Sequence, residues 1–288
     1  MRYAMSNLFW YNFLAIIGIG IAAFSIYKKK HLTELSTWIV FYLFATSITW
    51  LGEFTVLGFF SSYAYKPGVF SDPWAENLLG HLILNSTLWP GMAILVVAYS
   101  LDYKWIILIS AVNVLIEYLF VQFGMYEQHW WKYYMTAVTV VLFLTIAKKW
   151  FSIINRERHG ISRFITLYLV AVVIIHISFP LLLLLDKQYY SVHLTENLYR
   201  SSIIFILSYH LIETFIIVIF SYFDTRYWKA VPFVISSLGQ TFLASRGILI
   251  FKDEWNLFYT IIIYAISITV IILVEKHTLK PRINKKLK

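Results

Sequence analysis

The stretch from Asn113 to Ala137, NVLIEYLFVQFGMYEQHWWKYYMTA, decides how this chain can fold. It starts in an apolar run, passes the acidic residue Glu117 and leaves that run at Gly124. A short loop with Glu127 and His129 follows, and a second apolar run begins after it. A carboxylate within a membrane span costs roughly 2.5–3.5 kcal/mol on insertion scales. Glu117 is therefore expected to face a partner or a wet cavity, which makes it a candidate site residue.

The whole chain shares the apolar character of this stretch. Of its 288 residues 60% are hydrophobic, only 14% are charged, and the mean hydropathy is +0.69. A soluble domain could not bury so much apolar surface, so the composition predicts an integral membrane protein. The apolar runs are about twenty residues long, which indicates spanning helices rather than barrel strands. No cysteine is present, which excludes disulfides and thiolate metal sites.

The predicted fold is all-α, a polytopic transmembrane helix bundle of about nine spans, with eight as the alternative. The spans lie near 8–27, 36–60, 79–101, 105–124, 133–151, 162–185, 197–222, 230–250 and 256–275. Lys and Arg concentrate in alternate loops and in the C-terminal tail. By the positive-inside rule this places the N-terminus outside and the C-terminus in the cytoplasm. The segment 230–250 is the most polar, but omitting it would place the basic tail outside.

Residues 1–288 are predicted to form one integral membrane domain, because no repeat of 20–50 residues and no linker is visible. The first apolar segment is followed by Lys28, Lys29 and Lys30, the reverse of a cleavable signal peptide. We therefore expect this segment to be retained as a span. We expect anionic lipid to contact the basic loops on the cytoplasmic side of the membrane.

Polar residues from separate parts of the chain fall at similar depth in the outer half of the predicted bundle. At 1.5 Å rise per residue, Glu53 and Glu117 each lie roughly 10 Å below the outer end of a span. The two carboxyl groups are the catalytic candidates. The substrate-binding candidates are His81, Asn85, Asn113, Glu127, His129 and Arg246. We expect Glu53 and Glu117 to share one cavity, with His81 or Arg246 in reach of at least one of them.

Each of these residues also has a structural interpretation. A carboxyl group could pair with Arg246 or His81 and thereby fix the packing of the helices. Asn85 and Asn113 could form hydrogen bonds between helices. His129 lies among Trp130 and other aromatic residues, which is typical of the belt at a membrane interface.

A second polar cluster is predicted deeper in the bundle. His210 and Glu213 lie three residues apart on the seventh span, and His176 lies in the middle of the sixth. The three residues are candidates for a proton relay, a substrate contact or a buried structural pair. Helical Glu and His residues at this spacing can bind metal, but such sites need the pair twice. No metal and no cofactor are therefore predicted.

The segment from about residue 82 to 137 resembles an uncharacterised family of small multi-pass membrane proteins from spore-forming Gram-positive bacteria. The matching pieces are the run NSTLWP ending at Pro90, IEY at Glu117, FGMY ending at Tyr126 and WKYY from Trp131. The resemblance implies an integral location in a bacterial cell membrane and directs attention to Glu117. It implies no reaction, and it does not extend past Arg156.

Three functions from different classes fit the sequence. The first is an outward-facing polar pocket that binds or transforms a lipidic or small amphiphilic substrate, with the carboxyl groups for acid–base work. The second is a proton- or cation-coupled carrier that uses the buried carboxyl and imidazole groups as a relay. The third is a structural or sensory membrane component. Nucleotide-binding, metalloprotease and serine hydrolase motifs are absent from the sequence, and no nucleic-acid partner is expected.

The predicted orientation is tested with reporter fusions. Fusions after Lys149 and after Lys288 should report a cytoplasmic location, and a fusion after Asp72 should report an external one. An external C-terminus would contradict the nine-span topology.

Overall fold

A computed structural model of the chain describes residues 6–156, 160–223 and 225–279. The described residues are mostly helical, and eight of their helical segments are long and apolar enough to cross a membrane. The chain is thus a multi-pass helical membrane protein, as the sequence predicts. The tail from residue 280 to 288, whose basic residues entered the orientation argument, lies outside the described residues.

The chain divides into two compact units, residues 1–152 and 153–288. That the two fold together as one domain stays a prediction from the sequence.

The first unit contains five membrane-length helices and a pair of short strands. The elements are α1 Asn7–Lys29, α2 Leu35–Glu53 with a π-helical extension Phe54–Phe59, β1 Tyr63–Tyr65, α3 Pro73–Ala98, α4 Tyr103–Gln122, β2 Tyr126–Gln128 and α5 Tyr133–Arg156. Strand β1 pairs antiparallel with β2, and Ala64 lies opposite Glu127. The loops after α2 and after α4 therefore meet at one end of the unit, which we call the hairpin end.

The second unit follows a similar order. Its elements are α6 Gly160–His176, α7 Ser178–Leu184, β3 Gln188–Tyr190, α8 Leu198–Ser221, α9 Arg226–Ser245, β4 Leu249–Phe251 and α10 Leu257–Val274 with a π-helical extension Glu275–Leu279. Helices α6 and α7 together make one segment of membrane length. Strand β3 pairs antiparallel with β4. At the far end of α10, Glu275 forms an ion pair with Arg163, and both side chains are largely buried.

Helix α9 is the predicted eighth span, and it is not among the eight segments that are apolar enough to cross a membrane. Its 20 residues would nevertheless extend about 30 Å at 1.5 Å per residue. Because β4 pairs with β3, α9 must return the chain to the end from which α8 departs. Helix α9 therefore runs antiparallel to α8, as nine spans require.

Helix α3 begins at Pro73, about one and a half turns before the predicted start of the span at residue 79. The Asp72 carboxylate accepts hydrogen bonds from the backbone N–H groups of Trp74 and Ala75. Proline at the first helical position loses no hydrogen bond there. Asp72 is thus the N-terminal cap of α3, and Trp74 lies in the helix.

The two units repeat one backbone arrangement. In each unit a residue with positive φ precedes each strand by two positions: Ser61 and Gly124 in the first unit, Asp186 and Gly247 in the second. The last residue of the first strand donates its N–H to a side chain of the next helix, Asn77 in one unit and Ser202 in the other.

A side-chain pair recurs in the same way after the second strand. The Trp131 indole N–H donates to the Thr136 hydroxyl at 2.7 Å, and the Trp255 indole N–H donates to the Thr260 hydroxyl at 3.3 Å. When the two units are aligned on these anchors, Asn85 corresponds to His210. The same alignment pairs Asn113 with Ser236, Glu117 with Gln240, Val140 with Tyr264 and Leu88 with Glu213. Helix α1 has no counterpart among the described residues of the second unit.

Helix α1 packs closely on α3 through two glycines. A Cβ atom on Gly18 would lie 2.5 Å from the Cα atom of Leu88, and one on Gly91 would meet the backbone of Gly18. Close backbone approach through small residues is a general mode of helix association in membranes. Tyr11 ties the same helix to the hairpin end, because its hydroxyl donates to the Met125 carbonyl at 2.6 Å.

Replacement of Gly18 should therefore destabilise the first unit. The added methyl group of Gly18→Ala would overlap the α3 backbone, and overpacking of this kind typically costs about 1–3 kcal/mol. Gly20→Ala is the matched control, because a Cβ atom there meets nothing within 4 Å. Thermal unfolding of the purified protein should show a lower midpoint for Gly18→Ala alone. Equal midpoints for the two variants would contradict the packing.

Candidate functional site

A cavity of about 330 Å³ lies inside the first unit. Both strands and all five helices of the unit contribute to its wall. The polar or aromatic lining residues are Thr49, Glu53, Tyr63, Tyr65, Asn85, Trp89, Asn113, Glu117, Phe120, Tyr126, Trp131, Thr136, Thr139 and Phe143. The predicted placement of Glu53 and Glu117 in one cavity is confirmed. A volume of this size is at the lower end of the range for small-molecule sites.

Glu53 is held at the point where α2 becomes π-helical. Its Oε2 atom accepts a hydrogen bond of 2.6 Å from the Tyr63 hydroxyl, whereas its buried Oε1 atom has no hydrogen-bond partner among the described residues. Burial, and then the Glu53 charge, raise the pKa of the Tyr63 hydroxyl well above its usual value. The same two causes raise the pKa of Tyr65. Both hydroxyl groups are therefore protonated at neutral pH and act as donors.

Glu117 has a similar arrangement on α4. Its Oε1 atom accepts a hydrogen bond of 2.8 Å from the Gln128 side-chain amide. Its buried Oε2 atom has no hydrogen-bond partner among the described residues. In the first unit, neither Glu117 nor Glu53 forms an ion pair with a described residue. The predicted alternative of a structural ion pair with His81 is thus not what this unit shows.

The two asparagines line the cavity but already have partners. The Asn113 amide donates to the Ile109 carbonyl at 2.8 Å, and the Asn85 amide lies 3.2 Å from His81 Nδ1. His81 is not part of the cavity lining; its ring lies 5.7 Å from that of Trp50. His81 therefore orients Asn85 from behind the wall.

Strand β2 separates the candidates of the outer loop. Alternate residues of a strand face opposite sides, so Tyr126 lines the cavity and Gln128 reaches Glu117, while Glu127 is directed away. Glu127 forms an exposed ion pair with Lys66, whose hydrogen bond and positive charge lower the pKa of Glu127. His129 Nδ1 lies 2.6 Å from the Ser61 carbonyl oxygen. Neither Glu127 nor His129 lines the cavity.

The predicted deeper cluster belongs to the second unit and forms a buried chain of hydrogen bonds. His176 Nδ1 lies 2.9 Å from His210 Nδ1, and His210 Nε2 lies 2.8 Å from the Tyr264 hydroxyl. The Gln240 amide donates to that hydroxyl at 2.7 Å. The donor and acceptor roles in the two contacts of His210 depend on the tautomers of the histidines.

Glu213 lies beside this chain, and its carboxyl oxygens are buried with no hydrogen-bond partner among the described residues. No group of three His, Asp or Glu side chains in the described part of the chain could hold a metal ion. Arg246 also belongs to the second unit. It is exposed at the end of α9, with its guanidinium 5.4 Å from the ring centroid of Phe242.

The alignment of the two units shows what the second unit has in place of the cavity. Tyr264 corresponds to Val140, and its hydroxyl is bonded to His210 and Gln240, the counterparts of Asn85 and Glu117. The tyrosine side chain thus fills the space that the smaller valine leaves open in the first unit. Tyr264 is 2% exposed, so its side chain is buried in the second unit.

Five lining residues were not among the candidates from the sequence: Tyr63, Tyr65, Tyr126, Trp131 and Thr136. Gln128, which bonds to Glu117, was not among them either. The available signal was the alternation in the segments YAY at 63–65 and YEQ at 126–128. Each is only three residues long, too short for a strand to be predicted between two membrane spans.

Fold and cavity together define a multi-pass helical membrane protein with a pocket inside its first unit. No family model, no curated protein and no solved structure matches the chain. The resemblance over residues 82–137 therefore stays a prediction, and the cavity itself carries the functional argument.

The partner of Glu117 yields a stability prediction. Gln128→Leu should destabilise the protein by about 1–3 kcal/mol, because a buried carboxyl group would lose its donor. Glu117→Gln should unfold close to wild type, since the new amide oxygen can accept the same hydrogen bond. Thermal unfolding of both variants measures the difference. A marked loss of stability in Glu117→Gln alone would indicate a charged partner instead.

Proposed function

We propose that the first unit binds an amphiphilic small molecule in its cavity, with the apolar part of the ligand in the membrane and its polar end at Glu53 and Glu117. The single observation that supports this most is the cavity itself, in which buried carboxyl oxygens without partners face a largely apolar wall. Pockets of mostly apolar lining with few placed polar groups are typical of ligand sites.

The rim of the cavity favours entry from the membrane. Gly52 on α2, and Leu142 and Ile146 on α5, line the cavity and are exposed on the surface of the unit. At the end away from the hairpin, stacked rings join the same two helices, with Phe44 and Trp150 5.3 Å apart. An opening bordered by apolar side chains within spanning helices faces lipid, so its ligand has an alkyl or other apolar part.

The polar end of the cavity also has the groups for acid–base chemistry. A carboxyl group with one bonded and one free oxygen can take up or release a proton, and the Tyr63 hydroxyl at 2.6 Å orients Glu53. In an enzyme, Glu53 or Glu117 would be the catalytic acid or base. Binding is the minimal function, and transformation of the ligand is the extension of it that the paired carboxyl groups support.

The proposed setting is a bacterial cell membrane, with the hairpin end external and the basic loops against anionic lipid in the cytoplasmic leaflet. A proton-coupled carrier is the second candidate. The hydrogen-bonded series of side chains from His176 to Gln240 favours a carrier, because linked imidazole and hydroxyl groups can pass protons.

Filling the cavity should abolish binding. Val140 is 1% exposed and lines the cavity, and its counterpart Tyr264 shows that a tyrosine fits this position in the fold. In purified protein, Val140→Tyr should reduce labelling by a photoreactive aliphatic alcohol at cavity residues at least several-fold. Val138→Tyr is the matched control, since Val138 lies on the same helix and is 54% exposed. Equal labelling of the two variants would overturn the proposal.

A second variant keeps this test decisive if Val140→Tyr fails to fold. Gly52→Phe would narrow the mouth of the cavity without a clash, because a Cβ atom there meets nothing within 4 Å. Gly20→Phe is its control for the same reason. Undiminished cavity labelling in folded Gly52→Phe would place ligand entry elsewhere and contradict the proposed route.

A further inference from the structure

We infer that the polar end of the ligand carries a positive charge, as an amine or quaternary ammonium group on an amphiphile. This inference rests on the proposed binding function and specifies its ligand class. It follows from three features of the cavity: the charge of its wall, the free hydrogen-bond acceptors, and the aromatic rings beside them.

The described part of the cavity wall has carboxyl groups and no basic side chain. Glu53 and Glu117 line it, while none of the lining residues is Lys, Arg or His. The side chains that hydrogen-bond to the two carboxyl groups are neutral: the Tyr63 hydroxyl bonds to Glu53 and the Gln128 amide to Glu117, and the hydroxyls of Tyr65 and Thr136 also interact with them. Buried carboxylates in proteins are normally paired with a cation, because an unpaired buried charge is costly. A cationic ligand would supply the partner that the protein itself leaves out.

The free acceptors match the donors of an ammonium group. Glu53 Oε1 and Glu117 Oε2 are buried and have no partner among the described residues. A primary ammonium has three N–H donors and no acceptor. It could therefore bond to these oxygens without displacing Tyr63 or Gln128. A sulfate or phosphate group would bring acceptors to acceptors and would be repelled.

The aromatic rings near the carboxyl groups suit the same charge. Tyr63, Tyr126 and Trp131 line the cavity, and their rings contact one another, with Tyr63 lying 5.1 Å from Tyr126 and 5.5 Å from Trp131. The faces of tyrosine and tryptophan rings attract ammonium groups, and such rings form the usual cages for quaternary ammonium ligands. A quaternary ammonium, which cannot donate hydrogen bonds, would still be held by ring faces and charge.

The second unit provides an internal comparison. Where Tyr264 fills the space, the counterpart of Glu117 is the neutral Gln240, which donates to the tyrosine hydroxyl. A filled site thus has an amide at this position and the open site has a carboxyl group. The carboxyl group of Glu213 occupies a different position, that of Leu88.

Competition with matched amphiphiles tests the charge. The probe is the photoreactive aliphatic alcohol, and the competitors are dodecylamine, dodecyltrimethylammonium, dodecanol and dodecyl sulfate in one neutral detergent. Either cationic competitor should reduce labelling of the cavity at concentrations at least tenfold lower than dodecanol or dodecyl sulfate. In the double variant Glu53→Gln/Glu117→Gln this preference should disappear, when competition is measured relative to the labelling that the variant shows without competitor.

Glu127→Gln is the control for surface charge, since its exposed carboxylate lies on the opposite face of β2 and outside the cavity. It should keep the cationic preference. Equal competition by dodecanol and the amines, with cavity labelling intact, would overturn the inference and leave the binding function standing. A preference for amines that survives in the double variant would also overturn it. Absence of any labelling that Val140→Tyr can remove would instead refute the proposed function.

Discussion

Antiparallel pairing of β1 with β2 is the constraint on which the first unit depends. Backbone N–H and C=O groups near a membrane must be paired within the protein. The hydrogen bonds between β1 and β2 pair the backbone groups of two interhelical loops with each other. Their pairing brings the ends of α2 and α4 together, and with them Glu53 and Glu117. It also directs Tyr63, Tyr126 and Gln128 towards the carboxyl groups. The polar end of the cavity is thus a product of strand register as much as of helix packing.

The sequence predicted what depends on composition and depth. Spanning helices follow from apolar runs of membrane length, and the shared depth of Glu53 and Glu117 follows from the rise of a helix. The contacts of these residues could not be predicted, because they come from strands of three residues whose alternation is too short to recognise. Gln128 illustrates this limit: it lies between Glu127 and His129, which attracted attention as charged or titratable residues, yet Gln128 is the one that reaches Glu117.

The two units show how one backbone arrangement can hold either a cavity or a packed core. In the second unit, Tyr264 joins His210 and Gln240 in a buried hydrogen-bonded chain, so these three side chains have partners within the protein. In the first unit Val140 is too short to do this, and carboxyl oxygens are left without partners. Natural proteins tend to keep such locally unfavourable features at functional sites. The periodicity of single helices does not reveal the repeat, because its anchors are a Trp–Thr pair and residues with positive φ.

The apolar rim at Gly52, Leu142 and Ile146 has a consequence for how occupancy would be controlled. A molecule that enters through this rim comes from the lipid phase by lateral diffusion, without passing through water. Its occupancy then depends on its mole fraction in the bilayer, which exceeds the aqueous concentration by the partition coefficient. For an amphiphile that partitions strongly into the bilayer, a weak intrinsic affinity would suffice to occupy the cavity. A change in membrane composition that alters the mole fraction of the amphiphile would then alter the occupancy.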